Sequence, residues 1–289
     1  MSVDKAIFIV GPTASGKTDL AVKIAHYFNG EIISADSRQV YVGLDLGTGK
    51  EGEEKISNFQ FPISNQNRLA FIKQRARYIK NIPQYLIDIV EPGGEMYNLS
   101  FFLEDAKLLM ADIWSRGKLP IVVGGTGLYV TALLKGYKLP KKKRGRGEWR
   151  VKEPSDFNAL VIGIETDRFK LYKAIDCRLD KRIELGMIDE VKKLLDSGVS
   201  PDWLERLGLE YRYTKRYLMK ETPHLNPPLG KGRLGGVTIK DYRDELRFAI
   251  HAYARRQLTW LRHQIDRVEW VTTSAQAANL TVKFLKNKS

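Results

Sequence analysis

A complete phosphate-binding sequence, Gly-Pro-Thr-Ala-Ser-Gly-Lys-Thr, stands near the start of the chain at residues 11–18. In loops of this pattern the glycines let backbone N–H groups turn toward phosphate oxygens, and the following helix adds partial positive charge. Lys17 is expected to contact the terminal phosphate, and the hydroxyl of Thr18 to bind Mg²⁺. The residues predicted to bind a di- or triphosphate are therefore Gly11, Pro12, Thr13, Ala14, Ser15, Gly16, Lys17 and Thr18.

The flanking segments favour a phosphate-binding loop over an incidental glycine-rich turn. Residues 6–10 form an apolar run that is typical of a buried strand, and residues 19–28 carry apolar side chains at helical spacing. A strand before the loop and a helix after it are the context in which this motif binds phosphate.

Two acidic residues farther along the chain lie in a predicted strand or just after one. Asp36 comes just after a predicted strand at 31–34, and polar residues at that end of a parallel strand face the ligand crevice, although a surface turn is an alternative. Asp88 lies in a predicted strand at 85–92, either as an Mg²⁺-binding acid or as a structural carboxylate. A second glycine-rich turn, at 124–127, follows a buried strand at 119–123.

These sites require a particular arrangement of strands and helices. Strands alternate with helices in the first half of the chain, which predicts an α/β fold with a P-loop-type parallel sheet flanked by helices. From residue 167 onward the pattern is mostly helical, so the C-terminal part is predicted to be helical. The predicted organisation is a first part of the core at 1–136, a basic linker at 137–158 and the rest of the core at 159–289, with a flexible Pro/Gly-rich insert at 222–236.

Composition points to a polyanionic partner. The 289 residues carry a net charge of +14, which favours nucleic acid as a partner over a merely basic protein. The linker holds Lys141-Lys142-Lys143-Arg144, either as a polyphosphate-binding surface or as a solvated charge run. A single cysteine, Cys177, excludes an internal disulfide and a cysteine metal cluster. No apolar stretch is long enough to span a membrane, so we expect a cytoplasmic monomer.

Four segments together carry a resemblance to a known family. They are the phosphate loop at 11–18, Ser-Ala-Asp-Ser-Arg-Gln-Val-Tyr at 34–41, Val-Gly-Gly-Thr-Gly-Leu-Tyr at 123–129 and Tyr-Ala-Arg-Arg-Gln-Leu-Thr-Trp at 253–260. In this order they resemble the tRNA dimethylallyltransferase (tRNA isopentenyltransferase) family, and the resemblance covers most of residues 5–136 and 159–271. The phosphate loop alone is shared by many nucleotide-binding proteins, whereas the other three segments are far more specific.

The resemblance implies transfer of a dimethylallyl group from dimethylallyl diphosphate to N6 of the adenosine at tRNA position 37, beside the anticodon. In that reaction Lys17, Thr18 and Mg²⁺ would stabilise the leaving diphosphate. Asp36 would accept the N6 proton, and Thr126 would line the channel where the substrates meet. Arg256 would add positive charge to the diphosphate.

The resemblance also implies a tRNA-binding set at the same place. Asp36, Ser37, Arg38, Gln39 and Thr126 would hold the target nucleotide of the anticodon arm, and the chemistry requires that base out of its stack.

The chain departs from the family pattern at defined points. The Arg-x-x-Arg-Ala-Leu-Glu signature of an inserted helical lobe is lacking, and the basic linker at 137–158 takes its place. His251 stands where an arginine usually contacts diphosphate, and Tyr85 replaces a usual histidine. Other interpretations stay open at this point: a P-loop small-molecule or nucleoside kinase, a degenerate family member that binds tRNA without modifying it, or a prenyltransferase acting on free AMP.

Overall fold

The structure, a computed structural model, describes residues 3–54, 68–138, 150–151, 156–220 and 238–287. In this part of the chain the strands are β1 (Lys5–Val10), β2 (Gly30–Ser34), β3 (Glu53–Glu54), β4 (Arg77–Ile79), β5 (Ile82–Tyr85), β6 (Leu119–Gly124), β7 (Tyr137–Lys138), β8 (Arg150–Val151), β9 (Asn158–Ile164) and β10 (Glu269–Val271). The helices are α1 (Lys17–Tyr27), α2 (Arg68–Gln74), α3 (Leu99–Ser115), α4 (Gly127–Leu134), α5 (Arg168–Glu184), α6 (Met187–Asp196), α7 (Pro201–Leu207), α8 (Leu209–Leu218), α9 (Ile239–Gln264) and α10 (Ser274–Lys286).

Eight of the described strands form one sheet, in the order β10-β9-β1-β6-β2-β5-β4-β3. The pairs from β10 across to β5 are parallel, and β4 and β3 add an antiparallel edge. In the centre, Val10 of β1 pairs with Gly124 of β6, and Ser34 of β2 pairs with Val123. The carboxyl ends of β1, β2 and β6 therefore lie side by side, and the segments that follow them share one edge of the sheet.

Alternation along β1 explains why helices cover both faces of the sheet. Ile7 and Ile9 pack into the core under α1 and α10, whereas Phe8 and Val10 pack into the opposite core under α3 and α4. Apolar side chains on both faces are characteristic of strands buried in a parallel sheet. The α/β architecture with a helical C-terminal part is confirmed.

The segment after β5 differs from the strand predicted at 85–92. β5 ends at Tyr85, and Leu86 and Asp88 adopt positive φ angles of 63° and 55°, which a strand does not accommodate. The apolar run is buried as an irregular turn instead. Of the predicted basic linker, the structure describes 137–138, 150–151 and 156–158, and the predicted insert at 222–236 lies outside the described residues, so both stay predictions.

A buried carboxylate at the start of β2 ties the sheet to α3. Glu31 is 2% exposed and accepts hydrogen bonds from both terminal nitrogens of Arg116 at 2.6 Å, from Lys118 at 2.7 Å and from the Tyr85 hydroxyl at 2.8 Å. Burial opposes ionisation, but the hydrogen bonds from Arg116, Lys118 and Tyr85 outweigh it and lower the pKa of Glu31 to about 2. The residue is thus held ionised by three donors.

This network predicts a specific acid sensitivity. Because the pKa of Glu31 is lower in the folded state, its stabilising contribution is complete above pH ~4.5 and is lost as the pH falls toward 2. Glu31→Gln is expected to lower the free energy of unfolding at pH 7 by up to ~3 kcal/mol, and the difference from wild type should shrink to near zero at about pH 2. Urea unfolding at four pH values measures this, and a difference that does not change with pH would contradict it.

Candidate active site

The phosphate loop wraps the N-terminus of α1 as its sequence predicts. Gly16, the residue before the helix, has a left-handed backbone with φ 83°, and Ala14 has φ 61°. The Ser15 hydroxyl is buried and, within the described residues, has no hydrogen-bond partner. Since buried hydroxyls are normally paired, an unpaired one inside this loop indicates a place for an acceptor such as a phosphate oxygen.

A cleft opens along the edge of the sheet where β1, β2 and β6 end. Its walls include Thr13 to Asp19 of the loop, Asp36, Arg38 and Gln39 after β2, and Gly124 and Gly125 after β6. The walls approach so closely at β6 that a Cβ on Gly124 would overlap the carbonyl oxygen of Ala35. Glycine is therefore required at that position, and the second glycine-rich turn is part of the same site.

Asp36 lines the cleft, and Thr126 contacts the residue that follows Asp36 in the chain. Asp36 is half-buried, and its Oδ1 accepts a hydrogen bond of 2.9 Å from the backbone N–H of Arg38. The N–H of Ser37 donates to the Thr126 hydroxyl at 3.4 Å. The structure thus brings together the residues after β2 and the turn after β6, although about 90 residues separate Asp36 from Thr126 in the chain.

Two cations in the cleft have no carboxylate within ion-pair distance among the described residues. Lys17 Nζ folds back onto the carbonyl oxygen of Pro12 at 2.7 Å, and Arg178 of α5 donates to the Thr13 hydroxyl. Burial, with Arg178 as the second cause, lowers the pKa of Lys17 to about 8. Burial, with the nearby Arg182, lowers the pKa of Arg178 to about 10. Both cations are therefore buried in the cleft, and each has a second cation close by.

Arg38 and Arg182 both pair with one buried carboxylate. Glu210 of α8 is 3% exposed and accepts from Arg38 at 2.6 Å and from Arg182 at 3.4 Å. Burial raises the pKa of Glu210, but Arg38 and Arg182 outweigh it, so the net pKa is lowered. The guanidinium of Arg38 also lies 5.7 Å from the centre of the Tyr253 ring.

Gln257 of α9 forms a hydrogen bond with each of the two glycine-rich turns. Its Oε1 accepts from the backbone N–H of Thr13 at 2.9 Å, and its Nε2 donates to the carbonyl oxygen of Gly125 at 2.8 Å. The side chain is buried, so both hydrogen bonds are shielded from water.

Sequence reasoning missed Arg178, Arg182 and Glu210. A signal for Arg182 is present, because the buried stripe Leu171, Ile175 and Leu179 of α5 continues at that position. An arginine on an apolar stripe needs a buried anionic partner. Which partner it has depends on how α5 and α8 pack, and the sequence does not show this.

Arg256 and His251 both lie outside the cleft. Arg256 is exposed and does not line the cleft, so the structure does not bring it to the loop. His251 stands outside the cleft as well: its Nε2 lies 2.7 Å from Asp176 Oδ1, and its ring stacks on Tyr172 with centroids 4.0 Å apart. The physical reason is the rotation of α9, which turns Tyr253 and Gln257 toward the cleft instead.

Asp88 is a structural carboxylate. It is 1% exposed, binds Lys50, and accepts from Arg77 Nε at 2.5 Å. Of the two alternatives for this residue, the structural one holds, and Asp88 is not available to bind Mg²⁺.

The position of Glu210 predicts a split between catalysis and binding. Glu210→Gln removes the negative charge that Arg38 and Arg182 share, so the bond that fixes Arg38 beside Asp36 is weakened. Because a hydrogen bond to a charged group contributes ~1.5–3 kcal/mol, we expect kcat to fall by ~10-fold or more. The KM for an allyl diphosphate should not rise, since removing an anion makes the cleft more positive.

Glu205→Gln is the matched control for this prediction. Glu205 pairs with Arg212, Lys215 and Arg216 and does not line the cleft. Steady-state kinetics and melting temperatures of both variants separate an effect on catalysis from an effect on stability. Equal loss of kcat in the two variants would show that Glu210 acts only through stability.

The sheet and the cleft define the class of protein. A phosphate loop after β1 of a parallel α/β sheet, with Lys17 and Arg178 in the cleft beside it, is the site of a P-loop protein that binds a diphosphate or triphosphate. Comparisons with known proteins place the chain more narrowly.

The family described as IPP transferase matches residues 71–153 and 142–264, and the one described as isopentenyl transferase matches residues 4–63. The tRNA dimethylallyltransferase 1 of Azobacteroides pseudotrichonymphae is 34% identical, with 92% of each chain covered. The protein of the same name from Parabacteroides distasonis is 32% identical over 98% of each chain. The crystal structure of a full-length tRNA isopentenylpyrophosphate transferase from Bacillus halodurans superimposes with a TM-score of 0.76 at 28% identity, over 99% of this chain and 98% of that one. The chain therefore belongs to the tRNA dimethylallyltransferase family.

Two features are absent from the part of the chain that the structure describes. None of their helices is long and apolar enough to cross a bilayer. They contain no cluster of three or more His, Cys, Asp or Glu side chains that could hold a metal ion by themselves.

Proposed function

We propose that this protein transfers a dimethylallyl group from dimethylallyl diphosphate to N6 of the adenosine at position 37 of tRNA. The observation that carries the proposal is the cleft itself, where Lys17 and Arg178, which have no carboxylate within ion-pair distance among the described residues, line the same cavity as the carboxylate of Asp36. Family relatives named tRNA dimethylallyltransferase support the same activity.

In the proposed reaction the bond between the allylic carbon and the diphosphate oxygen breaks, and a bond from N6 to that carbon forms. Negative charge grows on the diphosphate as it leaves, and Lys17, Arg178 and the loop N–H groups stabilise it. Asp36 accepts the proton that N6 gives up. The products are N6-dimethylallyl adenosine in tRNA and diphosphate, so no nucleotide is hydrolysed.

The residues present fit a divalent cation bound together with the substrate. Thr18, Asp19 and Glu51 line the cleft, and burial together with the nearby charge of Asp19 raises the pKa of Glu51. Hydroxyl and carboxylate oxygens are ligands that Mg²⁺ accepts, with phosphates and waters completing its shell. Mg²⁺, when bound, would neutralise charge on the diphosphate.

The target nucleotide is proposed to enter from the Asp36 end. Ser37, Arg38 and Gln39 follow Asp36 in the chain, and the Ser37 N–H donates to Thr126, which supports the tRNA-binding role predicted for these residues. The pairing of Arg38 with Glu210 fixes that side chain before substrate arrives.

Mass spectrometry of tRNA tests the proposal. The purified protein is incubated with an unmodified tRNA transcript and dimethylallyl diphosphate, and nucleosides are analysed for N6-dimethylallyl adenosine. ATP turnover in parallel, with nucleosides or small metabolites as acceptors, tests a P-loop kinase, and AMP as acceptor tests a prenyltransferase of free nucleotides. Binding of tRNA without product would identify a non-catalytic family member. The cytoplasmic location and monomeric state expected from the sequence stay predictions.

A further inference from the structure

The phosphate loop, the segment after β2 and the turn after β6 all contact one face of α9. Tyr253, Gln257 and Trp260 are spaced by four and three positions, so their side chains leave the helix on the same side. The Tyr253 ring lies 5.7 Å from the guanidinium of Arg38, which follows β2. A Cβ on Gly127 would overlap the Trp260 indole, so this ring packs on the start of α4. Gln257, between the two aromatic residues, contacts the phosphate loop and the turn after β6 together.

The amide of Gln257 can make its two hydrogen bonds in one orientation only. The backbone N–H of Thr13 can only donate and the carbonyl oxygen of Gly125 can only accept, so the amide oxygen faces the phosphate loop and the NH₂ group faces the turn after β6. The side chain is 7% exposed, and a Cβ on Gly125 would lie 2.3 Å from Nε2. The turn therefore lies directly against the amide, and one side chain spans the gap between the two backbones.

The sheet itself does not fix this gap. The pairing of β1 with β6 ends at Val10 and Gly124, and both chains leave the sheet directly after this pair. Beyond it the distance between the two turns depends on contacts outside the sheet, and Gln257 supplies a hydrogen bond at each side of the gap. Because both bonds are shielded from water, replacing the amide leaves buried backbone groups without a partner.

The distance between the turns matters because they have different tasks in the proposed reaction. The phosphate loop would hold the diphosphate of the allyl donor, and the turn after β6 carries Thr126, whose hydroxyl accepts from the segment that follows Asp36. Transfer requires N6 to approach the allylic carbon to ~3–3.5 Å, and a displacement of ~1 Å can lower the rate ~10²-fold.

We propose that Gln257 is a positioning residue, which sets the distance between the allyl donor and the acceptor adenosine. It acts through the backbone groups of Thr13 and Gly125 and not on the reacting atoms. This inference rests on the proposed function, because that function assigns the donor to the phosphate loop and the acceptor to the side of Asp36 and Thr126. Loss of the amide should therefore slow transfer between bound substrates more than it weakens their binding.

The test is Gln257→Glu, which keeps the shape of the side chain and makes one hydrogen bond depend on pH. A protonated carboxyl can accept from Thr13 and donate to Gly125, whereas an ionised one can only accept and faces the Gly125 carbonyl oxygen without a proton between them. Burial raises the pKa of an introduced carboxyl above its ordinary value of ~4.3, so lowering the pH restores the missing donor.

Single-turnover rates with saturating tRNA and dimethylallyl diphosphate are measured between pH 5.5 and 8. The Gln257→Glu rate is expected to lie ~10–100-fold below wild type at pH 8, and the deficit should shrink by roughly 10-fold at pH 5.5. The ratio to wild type at each pH cancels the titration of Lys17, Asp36 and Glu51, which line the cleft in both proteins.

Two further variants sharpen the test. Gln257→Leu makes neither hydrogen bond at any pH, so its rate should stay ~10–100-fold below wild type throughout. Its affinities for both substrates, measured by calorimetry and filter binding, should match wild type, since the charge of the cleft is unchanged. Gln74→Glu makes the acidic change at an exposed position of α2 away from the cleft and should follow wild type at every pH. Melting temperatures establish which variants are folded, and either variant of Gln257 is sufficient for the test.

Several results would overturn the inference. A ratio of Gln257→Glu to wild type that does not change with pH would show that the donor to Gly125 has no part in the rate. A loss in Gln257→Leu confined to substrate affinity would make Gln257 part of a binding site, and a lower melting temperature with wild-type rates would make it structural only. If wild-type protein transfers no dimethylallyl group, the proposed function fails and this inference fails with it, whereas transfer by wild type with a flat ratio overturns the role of Gln257 alone.

Discussion

Asp36→Asn is expected to lose most of its prenyl transfer while binding both substrates nearly normally. The asparagine oxygen can still accept the hydrogen bond from the Arg38 backbone that Asp36 accepts at 2.9 Å, so the turn after β2 should keep its shape. An amide cannot take the N6 proton, and loss of a general base lowers kcat by typically ~10²–10⁴-fold. Single-turnover assays with saturating tRNA and dimethylallyl diphosphate, read by mass spectrometry of the tRNA, measure the loss.

Asp189→Asn is the control for this change. Asp189 is exposed in the first turn of α6 and does not line the cleft, so its variant should turn over like wild type. A kcat of Asp36→Asn within a few-fold of wild type would show that another group, or water, accepts the proton.

Lys17→Ala is expected to weaken the binding of dimethylallyl diphosphate and to slow transfer, with little change in tRNA affinity. Lys17 contacts the backbone of its own loop in this structure and has no carboxylate partner among the described residues, so its charge is available to the diphosphate. A charge-assisted hydrogen bond contributes ~1.5–3 kcal/mol, which corresponds to ~10–100-fold in affinity. Calorimetric titration with dimethylallyl diphosphate measures this.

Lys23→Ala removes the same charge from an exposed position of the same helix and should bind the diphosphate like wild type. Equal affinities and equal rates for Lys17→Ala and wild type would show that the phosphate loop is not the donor site.

Lys17 also predicts the pH dependence of binding. Its pKa in the free protein is about 8, because burial and Arg178 disfavour the charged form, and a bound diphosphate favours that form. Protonated Lys17 therefore binds diphosphate more tightly, and affinity should fall as the pH rises above 8, by at most ~10-fold per pH unit. Titrations between pH 7 and 9.5 should show this fall in wild type, and Lys17→Ala should lack it.

Much of the fold could be predicted because it depends on local pattern. The apolar run of β1 and the helical spacing in α1 specify a strand and a helix within short windows, and both elements formed where expected. The strand predicted at 85–92 was wrong beyond Tyr85, because apolar residues are equally compatible with a buried turn. The antiparallel edge of β3 and β4 gave no such signal, since it consists of two- and three-residue strands.

The sequence by itself determined the phosphate loop, Asp36 and the turn at Thr126. The loop is eight consecutive residues whose backbone makes the site, and parallel strands necessarily bring their carboxyl ends to one edge of the sheet.

Tertiary structure alone decided which cations from distant parts of the chain lie at the carboxyl edge of the sheet. Arg178 is 161 positions after Lys17 and reaches the loop only through the packing of α5, whereas Arg256 lies inside a motif that suggested contact and is exposed. Successive residues of a helix point about 100° apart, so the burial of Gln257 in the cleft turned its neighbour Arg256 away. That rotation is set by the sum of side-chain contacts along α9 with α4, α5 and α8, which no single motif contains.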